Sequence, residues 1–162
     1  MKIQKNVIFD NNTKLLIYAD GSCLGNPGKG GWAALLIFLK NGAKKAEKMI
    51  SGCSKSSTNN KMELQAVIEA LKTIKLNTIS YPIEIHVDSQ YVQKGLTDWR
   101  ESWEYRNFRG VKNPEQWKEL IDLINKIEHK KIKISINYVK AHNGHPENER
   151  VDDEARKKAE RC

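Results

Sequence analysis

The apolar residues of this chain fall into short runs of two kinds, continuous or alternating ones that suit strands and roughly 3.6-periodic ones that suit helices. Leu15 to Ala19 (Leu-Leu-Ile-Tyr-Ala) is a continuous run that predicts a buried strand ending at Asp20-Gly21-Ser22. A glycine-rich turn, Gly25 to Gly31, follows, and Trp32 to Leu39 reads as a second strand. Asn41-Gly42 is a strong hairpin signal, because a tight hairpin turn needs positive φ at its centre. Lys44 to Cys53 is therefore expected to pair back antiparallel as a third strand. Ser56 to Asn60 supplies capping side chains for a helix running to about Lys75, with Met62, Ala66, Ile68 or Glu69, Ala70 and Leu71 on its apolar face.

Beyond Pro82, Ile83 to Val87 predicts a fourth strand and Ser89 to Leu96 a short helix. Trp99 to Asn113 is aromatic and charged, without a clear period. Pro114 suits the first turn of a helix whose inner face carries Trp117, Leu120, Ile121, Ile124 and Ile127. Ile132 to Val139 alternates as a fifth strand. Pro146 opens a last helix, acidic at its start and basic toward its end, as the helix dipole favours. Three leading strands followed by alternating helix and strand imply an α/β fold, a five-stranded mixed sheet flanked by helices. In such sheets sites form where strand ends meet helix starts, which brings Asp20 and Asp88 into one neighbourhood.

Length and charge sharpen this picture. A chain of 162 residues suits one domain, with its core over about 14–160. Lys plus Arg number 28 against 20 Asp plus Glu, a net charge of +8, which favours polyanions through counterion release. Many soluble proteins are basic without binding nucleic acid, so charge alone leaves the question open. The three cysteines, Cys23, Cys53 and Cys162, are odd in number and scattered, which predicts neither a disulfide framework nor a zinc site and points to a reducing compartment. Met1 to Asp10 lacks the apolar run of a signal peptide, and no stretch approaches the ~20 apolar residues of a membrane span. A cytoplasmic protein is expected.

Aspartates directly after apolar strands carry the candidate chemistry. Carboxylates set side by side repel one another, so a protein that gathers several usually has a cation among them, and all-oxygen ligand sets suit Mg²⁺ or Mn²⁺. The plainer reading of each is a cap for the next helix or turn.

Four blocks then resemble type 1 ribonucleases H: Asp20-Gly21-Ser22-Cys23-Leu24-Gly25-Asn26-Pro27-Gly28, Thr58-Asn59-Asn60-Lys61-Met62-Glu63-Leu64, Asp88-Ser89-Gln90-Tyr91-Val92, and Val139 to Asp152. They occur in the family's order and span nearly the whole domain. The resemblance implies a ribonuclease H-like fold and an endonuclease that hydrolyses the RNA strand of RNA–DNA hybrids, leaving 5′-phosphate and 3′-hydroxyl ends. It implies two Mg²⁺ ions per site with substrate, Mn²⁺ being a possible substitute, held by Asp20, Glu63, Asp88 and Asp152. One ion would activate water and the other stabilise the leaving 3′ oxygen. Against this, Glu63 could be an exposed helix carboxylate and Asp152 a first-turn dipole partner, a role Asp153 fits as well; the motif alone selects Asp152.

By the same resemblance His142 assists proton transfer or product release, which an imidazole can do near neutral pH; the alternative is an exposed loop histidine. His145, before Pro146, carries no assigned chemistry. Cys23, Asn26, Asn59 and Gln90 would lie near the minor groove, where 2′-hydroxyls mark RNA, with Asn60 counted among the substrate contacts. Asn26 before Pro27 also suits a turn, and Asn59 a helix cap. Thr58 and Asn113 match positions that hold a phosphate of the DNA strand. Trp99 matches an aromatic beside the DNA backbone, or else packs in the core.

Two departures stand out. Ser56, beside Lys55, occupies a position where the family often has an arginine in the DNA-phosphate pocket. The segment Trp99 to Asn113 resembles a short basic handle in which Arg100, Arg106, Arg109 and Lys112 are partly offset by Glu101 and Glu104. Basic charge gathers instead around Lys126, Lys130, Lys131 and Lys133. The competing readings are a non-catalytic hybrid-binding module, a resolvase or transposase core on the same scaffold, and a basic structural protein. Intact acidic positions argue against the first, the end blocks against the second, and the carboxylate set against the third. The expected partner is an RNA–DNA hybrid, with no membrane and a monomeric state.

Overall fold

A computed structural model of the chain describes residues 12–141 and 143–162. Strands β1 (Thr13–Cys23), β2 (Gly28–Lys40), β3 (Ala43–Ser57), β4 (Ile83–Val87) and β5 (Ile134–Tyr138) form one sheet in the order β3-β2-β1-β4-β5. The first three pair antiparallel, and β4 and β5 join parallel. This is the mixed sheet the pattern predicts. The Asn41-Gly42 turn has positive φ at both residues, 53° and 77°, as the hairpin reading requires.

Some boundaries differ from expectation. β1 does not stop at Ala19: Ser22 and Cys23 remain paired with Gly31 and Gly30. β3 likewise runs on to Ser57. Apolar patterning reports burial, whereas a ladder of backbone hydrogen bonds continues through polar residues. β5 is shorter than predicted.

The helices are α1 (Asn59–Lys72), α2 (Gln90–Lys94), α3 (Arg100–Tyr105), α4 (Pro114–His129) and α5 (Pro146–Glu160). A π turn, Gly95–Trp99, joins α2 to α3. Trp99 to Asn113 shows no period because α3 is six residues long, buries Trp103 alone of them, and is followed by turns.

Strand alternation divides the apolar residues between two layers. Leu15, Ile17 and Ala19 meet Leu64, Val67, Ile68 and Leu71 of α1 and the inner face of α4. On the opposite face Ala33, Leu35 and Ile37 of β2 meet Val151 and Ala155 of α5. Gly31 lies against the backbone of Ala155 and Ala159, where a Cβ would overlap. Its lack of a side chain lets α5 sit close to the sheet.

The cysteines correct the sequence expectation. Cys53 on β3 and Cys162, just beyond α5, form a disulfide with Cα atoms 5.8 Å apart, while Cys23 is a free thiol. The partners are 109 residues apart in sequence. They meet because α5 crosses the sheet toward edge strand β3, a relationship that cysteine spacing does not encode. Among the described residues no helix is long and apolar enough to cross a membrane.

Candidate active site

Asp20, Glu63 and Asp88 converge, each offering a carboxylate oxygen within 4.8 Å of the others. Asp20 lies within β1 and is 2% exposed. Alternation puts its side chain on the sheet face of Leu16 and Tyr18, the face that α5 covers. Glu63 comes from α1 on the other face, and Gly21 between them has no side chain to block the approach. Asp88 directly follows β4. It is not the cap of α2, since Ser89 accepts the Val92 N–H at 3.2 Å in that role.

Asp152 stands in the second turn of α5, beyond the first-turn acids Glu147 and Glu149. Its Oδ2 is 3.6 Å from the Arg156 guanidinium. Asp153 is bound to Lys157 at 2.8 Å and Arg156 at 3.3 Å, which hold its carboxyl below the usual range. Asp152, by contrast, acts electrostatically on Asp20 and Glu63.

Burial pushes the Asp20 carboxyl far above the ordinary carboxylate range, and the charges of Glu63, Asp88 and Asp152 push it further. Burial likewise raises Glu63, with Asp88 and Asp152 adding to the shift, although hydrogen bonding to Asp20 and the Gly21 backbone opposes it. Asp20 Oδ2 and Glu63 Oε2 are buried without a hydrogen-bond donor among the described residues. Buried anionic oxygens lacking donors are costly, and a divalent cation removes that cost. The donor set, all carboxylate oxygen, fits a hard ion such as Mg²⁺.

Asn26 and Asn59 join the β1–β2 turn to the start of α1. The Cys23 N–H donates to Asn59 Oδ1 at 3.0 Å, and the Asn59 N–H donates to Asn26 Oδ1 at 3.1 Å. Both amide oxygens are thereby engaged, and both side-chain NH₂ groups remain as donors. Asn60 and Gln90 are exposed at the starts of α1 and α2. Thr58 caps α1, its Oγ1 accepting the Lys61 N–H at 3.3 Å.

Asn113 has left-handed backbone, φ 53°, just before Pro114, and its Nδ2 donates to the Tyr91 hydroxyl at 3.1 Å. It lines a cleft of about 520 Å³ with Ser54, Ser56, Lys61 and Gln116. Trp99 is 40% exposed and tilts against Trp103, their ring centres 5.8 Å apart, so it is no core residue. His142 lies outside the described residues.

Two features escaped the sequence reading. Tyr91 accepts from Trp117 Nε1 at 2.8 Å as well as from Asn113, and so ties α2 to α4. Its place inside the Asp88 block is the only signal that could have marked it. Arg100 does not serve the handle. It bonds Asn125, lies 2.7 Å from Glu128 and 3.5 Å from Glu104, and fixes α3 to α4. Arg106, Arg109 and Lys112 form no ion pair with a described residue. Tyr105, 94% exposed, stands beside them.

Residues 12–160 match the family model described as RNase H. A Ribonuclease H of Cupriavidus pinatubonensis is 42% identical over 144 residues, covering 86% of this chain and 90% of the relative. Among solved structures, LC9-RNase H1, a type 1 RNase H with the type 2 active-site motif, superposes with a TM-score of 0.78 at 27% identity, over 92% of this chain and 73% of that one. LC11-RNase H1, solved in complex with an RNA/DNA hybrid, superposes at 0.59 with 21% identity, over 91% of this chain and 97% of that one, a likeness of fold alone.

Proposed function

The chain belongs to the RNase H family, as a nuclease and hydrolase, and we propose that it cuts the RNA strand of RNA–DNA hybrids endonucleolytically, leaving 5′-phosphate and 3′-hydroxyl ends. The observation that carries this reading is the convergence of three carboxylates with two buried oxygens that have no donor among the described residues. The whole chain acts as one catalytic domain, with its core over about 14–160, as a monomer in the cytoplasm.

Asp20, Glu63, Asp88 and Asp152 are the proposed ligands of two divalent ions, Mg²⁺ in the first place and Mn²⁺ as a substitute. When bound, such ions supply water activation and neutralise charge developing on the phosphate. The chain's own residues do the rest. Asp20 and Glu63, fixed by the Gly21 contact, hold their carboxylates without rearrangement, which preserves catalytic geometry. Asn26, Asn59, Asn60 and Gln90, with Cys23, face the minor groove, where amide donors read 2′-hydroxyls. Thr58 and Asn113 hold a phosphate of the DNA strand, and Trp99 lies along its backbone. His142 moves a proton at the reacting phosphate or assists product release.

Labelled RNA–DNA hybrid, duplex DNA and duplex RNA, each incubated with Mg²⁺ and with chelator, test this reading. Cleavage is expected only of the hybrid's RNA strand and only with Mg²⁺. Cleavage of duplex RNA at equal rate, or of hybrid in excess chelator, would overturn it.

A further inference from the structure

Edge strand β3 holds α5 at three places. The Arg150 guanidinium donates to both Glu47 carboxylate oxygens, at 3.1 and 3.2 Å. Ser51 Oγ donates to Glu154 Oε1 at 3.1 Å. Cys53 is bonded to Cys162. Glu47, Ser51 and Cys53 are spaced by even numbers and so project from one face of β3. Arg150 and Glu154 are one helical turn apart and lie on one side of α5. The links therefore form a seam in which strand and helix advance together, closed covalently at the Cys162 end.

This seam matters because α5, although it also packs along β2 and β1, does so through few and mostly small apolar side chains. Its buried apolar side chains are Val151, Ala155 and Ala159, whereas α4 buries Trp117, Leu120, Ile121, Ile124 and Ile127. The rest of α5 is mostly charged. Yet α5 carries Asp152, between the links at Arg150 and Glu154, toward carboxylates that come from β1, α1 and β4.

We propose that the Cys53–Cys162 disulfide is a redox-modifiable staple on α5, opened by a dithiol reductant, and that opening it loosens Asp152 from the other carboxylates and weakens divalent-ion binding. The second half rests on the reading in which Asp152 is a metal ligand. Cys53 is an exposed residue of the edge strand, on the side of the sheet where solvent reaches. A reductant thiolate attacks Cys53 Sγ, the S–S bond breaks, and Cys162 leaves as a thiolate that takes up a proton. The reductant's second thiol then displaces Cys53. Two electrons and two protons pass to the protein, and the reductant ends as a cyclic disulfide. In a reducing compartment disulfides are commonly transient and redox-sensing, so this bond links the metal site to the thiol poise around it. Cys23, on β1, takes no part.

The test compares air-oxidised protein, protein reduced with dithiothreitol, and the C53S/C162S variant. Thiol titration should find one reactive thiol before reduction and three after. Backbone hydrogen exchange over residues 150–160 should become severalfold faster on reduction, as a locally loosened element does. The Mg²⁺ dissociation constant by calorimetry should rise about tenfold, the lower end of the effect of a lost support behind a metal ligand. The variant should match the reduced protein and ignore the reductant. Three thiols in the oxidised protein, exchange unchanged by reduction, or faster exchange with unchanged Mg²⁺ affinity would each overturn the proposal. Failure of the nuclease reading is distinguishable, because it shows as absent hybrid cleavage in both redox states while calorimetry still decides the staple.

Discussion

Gly21 touches Glu63 backbone to backbone: a Cβ on Gly21 would overlap the Glu63 nitrogen and the Met62 carbonyl carbon. This contact between β1 and the first turn of α1 sets Glu63 beside Asp20. Gly21→Ala is expected to displace the start of α1, costing about 1–3 kcal/mol as overpacking. The Mg²⁺ concentration for half-maximal cleavage should rise with it. Thermal unfolding and a metal titration of rate check both, and wild-type values in each would show that the contact has slack.

The carboxylate cluster should make metal-free stability depend on pH in the unusual direction. Burial raises Asp20 and Glu63 above their unfolded values, so the folded state binds more protons than the unfolded one. Stability then falls as pH rises from about 4 through the raised values, because ∂ΔG/∂pH is negative wherever the native state holds the extra protons. Asp20→Asn should flatten this dependence and raise metal-free stability at neutral pH while abolishing cleavage. Denaturant unfolding in chelator, between acidic and neutral pH, provides the measurement. A slope of opposite sign would contradict the assignment.

His142 should separate from the ligands by the size of its effect. Loss of a proton-transfer group costs about 10²–10⁴-fold. His142→Ala is therefore expected to leave weak, metal-dependent cleavage, and Asp20→Asn none that is detectable. A limb of the pH–rate profile near the imidazole range should vanish in the His142 variant. Restoration of its rate by added Mg²⁺ would identify it as a metal ligand instead.

The handle should act through charge alone. Each cation that neutralises a phosphate contributes about 0.7–0.9 to the slope of log affinity against log salt. Arg106→Ala and Arg109→Ala should each flatten the slope by at most that amount and leave kcat nearly unchanged. Arg100→Ala should behave differently, lowering stability through the lost contacts to Asn125 and Glu128. Loss of turnover at saturating hybrid in either handle variant would move the segment into the catalytic site.

Much of this architecture was legible because it rests on local pattern. Asn41-Gly42 marked the hairpin, Pro114 marked α4, and the alternation in Ile83 to Val87 marked β4. Asp20 and Asp88 were brought together by strand order. What stayed hidden depends on elements distant in sequence. Nothing near Cys53 announces Cys162, and nothing near Arg100 announces Glu128. α3, six residues long with Trp103 as its buried residue, is too short to show a helical period. Thr58, within the expected capping run Ser56 to Asn60, caps α1 by accepting the Lys61 N–H, and its hydroxyl hydrogen is left to donate to a phosphate oxygen. The role of Tyr91 depends on two partners from α4 and its entry, which no local signal could supply.

Strand β3 lies at the edge of the sheet and spans 15 residues, far longer than the five of β5 at the other edge. Long edges template pairing with other chains, and lysine is a common guard against it. Lys44, Lys45 and Lys48 occupy the outer half of β3, all exposed, and Lys45 and Lys48 form no ion pair with a described residue. Their positive charge sets two such edges against each other before their backbones can meet. The cluster therefore governs colloidal behaviour: high salt, or polyanions that coat the lysines, would lower this barrier and favour edge-to-edge aggregation in concentrated solution.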